Sequence, residues 1–189
     1  MNHIIPYLTF MIARTVTTKT INVKKRILVI EDEIFWAELL KIELHSVEPN
    51  IEIVHARNGR DAVKLVQRSQ NISEGFEEGR EEELLEGIDP DPEGFEEDIT
   101  TTAGSKLPPK NAKYDAIITD IQMPLMDGCT AVRIIRDLLY TGPIIVWSSY
   151  RDSEEDLQRA LDIPVSGFCV KEGSLQNLLM NLRNLRVIE

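Results

Sequence analysis

Four places in this sequence hold side chains that could work together on a phosphoryl group. They are the carboxylate pair Glu31-Asp32, the carboxylate Asp120, the hydroxyl of Ser148 and the ammonium of Lys171. Each closes a short apolar or β-branched run: Ile27-Leu28-Val29-Ile30, the stretch 115–119, Ile144-Ile145-Val146-Trp147 and the stretch 165–170. Such runs, bounded by turn formers, fit strands buried on both faces of a parallel sheet. The carboxyl ends of parallel strands share one edge of the sheet, so groups far apart in sequence converge there. Two or three carboxylates at one spot repel one another and favour a hard, oxygen-seeking cation. Mg2+ is expected, because it accepts a few carboxylates and keeps several waters. A carboxylate in that position can act as a nucleophile, a metal ligand or both. With Asp120 as acceptor, Lys171 as a second positive charge and Ser148 as a hydrogen-bond donor, the parts of an in-line phosphoryl transfer onto Asp120 are present. Taken singly, an acid that caps a helix, a serine in a turn and a solvated lysine are ordinary features. Their shared position after strands is what makes the set specific.

The elements that must position these groups alternate along the chain. After Glu31-Asp32-Glu33, the spacing of Phe35, Leu39, Ile42 and Ser46, with Leu40 and Leu44 beside them, is helical, and Glu33 suits the positive helix start. A short strand over 51–54 follows, broken by Asn58-Gly59. Ala62, Leu65 and Val66 then face one side of a second helix. Met123-Pro124 ends the strand that carries Asp120, and Asp127-Gly128 turns the chain into a helix over 129–139 with Val132, Ile135 and Leu139 on one face. Thr141-Gly142-Pro143 precedes the fourth run. A polar helix over 153–161 shows Leu157, Ala160 and Leu161, and a last helix from about 174 buries Leu175, Leu178, Leu179, Leu182 and Leu185. Five strands alternating with five helices predict an α/β fold, a doubly wound five-stranded parallel sheet.

A chain of 189 residues suits one domain with a sizeable core. The net charge of -11 is uneven: residues 71–99 hold thirteen Asp or Glu against one Arg, which leaves the rest at +1. There is accordingly no basic field for direct nucleic-acid binding. Cys129 and Cys169 lack metal-ligand spacing and a neighbouring His, and read as buried free thiols of a reducing cytoplasm. The apolar stretch 4–13 contains Pro6, has no preceding Lys or Arg and is too short to span a bilayer. Residues 1–24 are expected to form a mostly disordered extension, with membrane-surface or partner docking as the lesser reading.

Residues 70–112 interrupt the βα rhythm as an acidic insertion. Glu74-Gly75-Phe76-Glu77-Glu78 returns as Glu93-Gly94-Phe95-Glu96-Glu97. The expected state is a solvated loop, with a transient helix at 81–86. Two acidic hooks for a basic, hydrophobic partner are the alternative.

Together, Glu31-Asp32, Thr119-Asp120 with Met123-Pro124 and Asp127-Gly128, Pro143-Ile144-Ile145 leading to Ser148, and Gly167-Phe168-Cys169-Val170-Lys171 resemble the receiver domain of two-component response regulators. The resemblance covers about 25–186 and implies the flavodoxin-like (βα)5 receiver fold. It further implies that Asp120 accepts a phosphoryl group from a histidine kinase or a histidine phosphotransfer protein. Asp32 and Asp120 would bind Mg2+, with Glu31 assisting mainly through water and the backbone carbonyl of Gln122 completing the protein ligands. Ser148 would be the switch hydroxyl. Phe168 would be the aromatic rotamer switch or, on the plainer reading, a core aromatic. Gln122 and Tyr150 occupy the positions that tune the lifetime of the aspartyl phosphate. Output would pass to an unknown protein through the face built by the helix over 153–161, the strand over 165–170 and the last helix, a face that is also a possible homodimer contact. Glu172 stands where many receivers have a proline after a cis bond. A non-proline cis peptide costs about 3 kcal/mol, so a trans loop is expected there. Trp36 is expected near the site or covering the core edge.

The expectation is therefore a stand-alone, cytoplasmic phosphoacceptor that catalyses only its own phosphorylation and dephosphorylation. One rival is a pseudo-receiver that signals without phosphate. The other is a small Mg2+-dependent phosphohydrolase, weakened because Gln122 stands where its second acid would be.

Overall fold

The computed structural model describes residues 24–70, 99–101, 108, 112–149, 154–172 and 175–189. The readings made for 1–23, for the acidic repeats, for a helix at 81–86 and for Tyr150 lie outside the described residues. One sheet contains β1 (Arg26–Ile30), β2 (Glu52–Ala56), β3 (Ile99–Thr101), β4 (Ala116–Thr119), β5 (Ile144–Ser148) and β6 (Gly167–Val170). The helices are α1 (Ile34–Val47), α2 (Gly59–Ser69), α3 (Gly128–Asp137), α4 (Glu154–Leu161) and α5 (Leu175–Asn184). The strand order is β3-β2-β1-β4-β5-β6. All pairs are parallel except β2 with β3.

The parallel strands are mostly apolar because both faces of the sheet are covered. Ile27 and Val29 point into a core shared with Leu40 and Leu44 of α1 and Leu178, Leu179 and Leu182 of α5. Leu28 and Ile30 point into the opposite core, with Ala62, Leu65 and Val66 of α2 and Val132 and Ile135 of α3. From β1 the chain passes outward to β2 and later returns across β1 to β4. The β1–β4 seam is therefore the place where the winding reverses, and the carboxyl ends of its strands are where sheets of this kind place their ligands. Glu31 and Asp120 are the residues directly after those two strands.

The structure differs from the sequence reading in three places. Ile99–Thr101, within the segment expected to be solvated, pairs antiparallel with β2 in the register Val54↔Thr101, and so adds a sixth strand to the five parallel ones. In α1 the sheet-facing stripe is Ala37, Leu40 and Leu44, while Phe35 and Ile42 are 67% and 66% exposed. Both stripes have helical spacing; the small Ala37 lets the helix lie close to the sheet. Leu139 and Leu161 are exposed, because each closes its helix or lies just beyond it. Leu138 is the buried residue at the end of α3, and Leu139 has a φ of 63°. Cys129 and Cys169 are buried free thiols, as expected.

Candidate functional site

Asp120 is fixed by its neighbours on both sides. Its backbone N–H donates to Ile30 O at 2.9 Å, lacing the end of β4 to the end of β1. One carboxylate oxygen, Oδ1, accepts from the Ile121 N–H at 2.7 Å, and Oδ2 accepts from Lys171 Nζ at 2.7 Å. Behind it, α3 starts at Gly128, whose N–H donates to Ile121 O at 2.8 Å. A Cβ on Gly128 would lie 1.8 Å from Asp120 O, so no larger residue fits. Asp127 sets the helix start, with Oδ1 accepting from the Thr130 N–H at 2.9 Å and Oδ2 from Arg159 at 3.0 Å.

Glu31 is held as firmly from the β2 side. Its N–H donates to Ala56 O at 3.0 Å, and its carbonyl lies 2.6 Å from His55 Nε2. A carbonyl only accepts, so this nitrogen carries the proton. Burial holds the His55 imidazole below its ordinary range, in keeping with a neutral ring. The side-chain Oε1 accepts from the Glu33 N–H at 3.2 Å. Glu33 occupies the N-cap of α1, but its own side chain makes no capping bond.

Lys171 joins the two strand ends. It is buried, with Nζ 2.7 Å from Glu31 Oε2 and 2.7 Å from Asp120 Oδ2. Burial alone would lower its pKa, but Glu31 and Asp120 outweigh that and raise it, keeping the ammonium charged. Both carboxyls are raised in turn by burial, against the pull of Lys171. The Lys171 N–H donates to Ser148 O at 2.7 Å, and Ser149 Oγ donates to Glu172, which clasps the end of β6 to the end of β5. No cis peptide occurs among the described residues, so Lys171–Glu172 is trans.

Glu31, Asp32 and Asp120 each offer an oxygen within 4.8 Å of the others. Half-buried Asp32 gives the cluster its opening toward solvent. Three hard oxygen donors partly reached by solvent fit Mg2+. Ser148 is fully buried, and its Oγ has no hydrogen-bond partner among the described residues. A buried hydroxyl left so costs about 1–3 kcal/mol, the kind of deficit that occurs where a group is kept for an incoming ligand. Gln122 is exposed on the loop after Asp120, and Phe168 is half-buried against the α2–α3 core. Sequence reasoning missed His55 and the steric role of Gly128. The available signal was that His55 is one residue from the end of a strand neighbouring β1, and that Gly128 directly follows a capping Asp.

Residues 100–183 match the response regulator receiver domain family. That stretch, which holds Asp120, Ser148 and Lys171, is similar to a receiver domain. That match begins in β3 and runs to α5, and the likeness to solved structures, which concerns the fold, covers more of the chain. The receiver domain of the histidine kinase CKI1 from Arabidopsis thaliana, complexed with Mg2+ and BeF3-, superposes with a TM-score of 0.57 at 22% identity, over 86% of this chain and 89% of that one. The chemotaxis protein CheY4 of Vibrio cholerae does so with a TM-score of 0.55 at 20% identity, over 85% and 98%. At these identities the likeness shows the receiver fold. Among curated proteins, the osmosensing histidine protein kinase SLN1 of Saccharomyces cerevisiae is 34% identical over 35% of this chain and 5% of its own length. Protein-glutamate methylesterase/protein-glutamine glutaminase 2 of Photobacterium profundum is 29% identical over 72% of this chain and 23% of its own. The chain thus spans a small part of the length of these relatives. No helix among the described residues is long and apolar enough to cross a membrane.

Proposed function

We propose that this receiver is the phosphoacceptor of a two-component or phosphorelay system, and that Mg2+-dependent phosphorylation of Asp120 switches a protein-interaction surface. The observation that carries this is the buried Lys171 ammonium, 2.7 Å from both Asp120 and Glu31 at the reversal of the sheet, beside three converging carboxylates.

Asp32 and Asp120 would hold the metal, with Glu31 assisting and the Gln122 carbonyl added from the loop. When bound, Mg2+ supplies positive charge against the phosphoryl oxygens. The chain's own groups do the rest. An oxygen of Asp120 forms the new bond to phosphorus while the P–N bond to the donor's imidazole breaks, its electron pair returning to the ring. Lys171 then turns from Asp120 Oδ2 to a phosphoryl oxygen, and the partnerless hydroxyl of Ser148 donates to another. That movement leaves room for Phe168 to follow, which passes the state to α4, β6 and α5. Gln122 and Tyr150 govern how long the acyl phosphate lasts. The donor is a cytoplasmic histidine kinase or histidine phosphotransfer protein, the receiver turns over no external metabolite, and the output protein docks on the α4–β6–α5 face.

Incubation with Mg2+ and acetyl phosphate, read by intact mass, tests this. One base-labile, acid-stable phosphoryl group is expected on the wild type and none on Asp120→Asn. A wild type that folds and binds Mg2+ yet takes no phosphoryl group would establish the pseudo-receiver instead.

A further inference from the structure

The Lys171 ammonium has a second set of partners that its ion pairs leave out. Its Nζ lies 5.8 Å over the centroid of the Trp36 ring and 5.7 Å over that of Trp147. The two indoles meet edge to face, with centroids 5.6 Å apart and planes at 83°. Phe35 stands against the outer side of Trp36, at 5.2 Å and 71°. Trp147 is buried near the end of β5, next to Ser148, and Trp36 is half-buried in the first turn of α1. A lysine charge is thus enclosed by two carboxylates on one side and two aromatic faces on another, each ring within cation–π range.

We propose that Trp36 and Trp147 form an aromatic cage that positions the Lys171 ammonium for phosphoryl transfer onto Asp120; this rests on the phosphoacceptor reading above. The need for such a cage follows from the reaction. Before transfer, Lys171 is oriented in part by Asp120 Oδ2, and transfer makes Asp120 an acyl phosphate, which weakens that hold. Lysine is a point charge on a flexible four-carbon stem, so carboxylates alone direct it only while they stay ionised and in place. The ring faces carry a fixed negative potential that does not change as Asp120 reacts. They therefore hold the ammonium through the step in which its partner changes. Burial of Trp147 and the T-shaped contact of Phe35 with Trp36 fix the two rings. In this scheme the indoles act through Lys171 and not on the phosphoryl group, so they are positioning residues.

The test uses the full chain with Trp36→Phe and Trp36→Leu, because half-buried Trp36 is replaceable with less damage to the core than Trp147. Phosphorylation by acetyl phosphate is timed at saturating Mg2+, and Mg2+ affinity is measured by calorimetry. The Leu variant should react about fivefold or more slowly and the Phe variant within about twofold of wild type, with Mg2+ affinity unchanged in both, since the loss is one desolvated cation–π contact. A residue that only fills space would be replaced as well by Leu as by Phe, so equal rates for the two variants, or slowing that merely tracks weaker Mg2+ binding, would overturn the cage. The ring-current shift of the Lys171 side-chain signals in wild-type NMR spectra gives a readout that needs no reaction. These signals should lie upfield of the other lysines and return toward them in Trp36→Leu; a Lys171 signal among the ordinary lysines also overturns it. A wild type that takes no phosphoryl group but shows the shifted signal would defeat the phosphoacceptor reading alone and leave the enclosure of Lys171 standing.

Discussion

Lys171 Nζ lies 2.7 Å from Asp120 Oδ2, across 51 positions of chain, in a place where both side chains are nearly closed to solvent. The same nitrogen reaches Glu31, so a single charge balances two acids. Replacing Lys171 with Met keeps the stem and removes that charge. Without Mg2+, the variant should lose about 3–5 kcal/mol, as buried pairs do when one partner goes. The loss should be larger at pH 8 than at pH 5.5, because protonating one of the abandoned carboxyls relieves the repulsion. Phosphorylation by acetyl phosphate should fall roughly 10²–10³-fold, the usual cost of a preorganised donor. Urea unfolding at the two pH values and a timed mass assay check both parts; a loss independent of pH would contradict the balance described.

Asp32→Asn separates metal binding from folding. Its carboxylate is the half-buried member of the cluster. Groups that merely orient metal ligands cost about 10- to 100-fold in affinity when removed, so loss of a carboxylate that meets the ion should cost at least that. Mg2+ affinity of the wild type should also fall as the pH falls, since burial raises the carboxyls of Glu31 and Asp120 and protons compete with the ion for them. Calorimetry across pH 6 to 8.5 reads the slope, and an affinity flat across that range would count against these ligands.

His55 gives a pH dependence of opposite origin. Burial holds its imidazole below 6.5 in the folded chain. As pH falls through about 6.5, the unfolded chain takes up a proton and the folded chain does not, so the stability this group contributes is present above that pH and lost below it. Glu31, raised by burial, slopes the other way. A Gln at position 55 keeps a donor for the Glu31 carbonyl and removes only the titration, so both proteins share the Glu31 slope. The stability of wild type relative to His55→Gln should therefore drop between pH 7.5 and pH 5. A constant gap between the two denaturation curves would remove His55 from this role.

Two glycines should behave differently toward alanine. At Gly128 the added carbon would meet the Asp120 carbonyl at 1.8 Å and Thr119 Oγ1 at 2.8 Å, both within or beside the site. Gly128→Ala should cost at least about 3 kcal/mol, the upper end for overpacking, and should slow phosphorylation by moving Asp120. At Gly167 the nearest atom is Asn181 Oδ1 at 3.1 Å, the end of a side chain that can turn away. Gly167→Ala should change stability by under about 1 kcal/mol. Thermal unfolding of the pair is the direct comparison.

The sequence by itself determined where the strands end and which chemistry stands there, because a strand buried on both faces writes itself as a continuous apolar run and its end is marked by the first polar residue. Glu31, Asp120, Ser148 and Lys171 were legible in that way, and so were the apolar faces of α2 and α5. What the tertiary structure decided were relations that depend on which strands are neighbours. His55 supports Glu31 because β2 lies beside β1. Lys171 reaches Glu31 as well as Asp120 because β1 and β4 are neighbours and bring their ends together, and Trp36 meets Trp147 because α1 packs on the face of the sheet from which Trp147 projects. Hydropathy could not choose between the two helical stripes of α1, since Phe35 and Ile42 are as apolar as Leu40 and Leu44; the close approach allowed by Ala37 chose. Nor did the composition of 70–112 mark Ile99–Thr101 as a strand: three residues carry no period of their own, and they become a strand by pairing with β2.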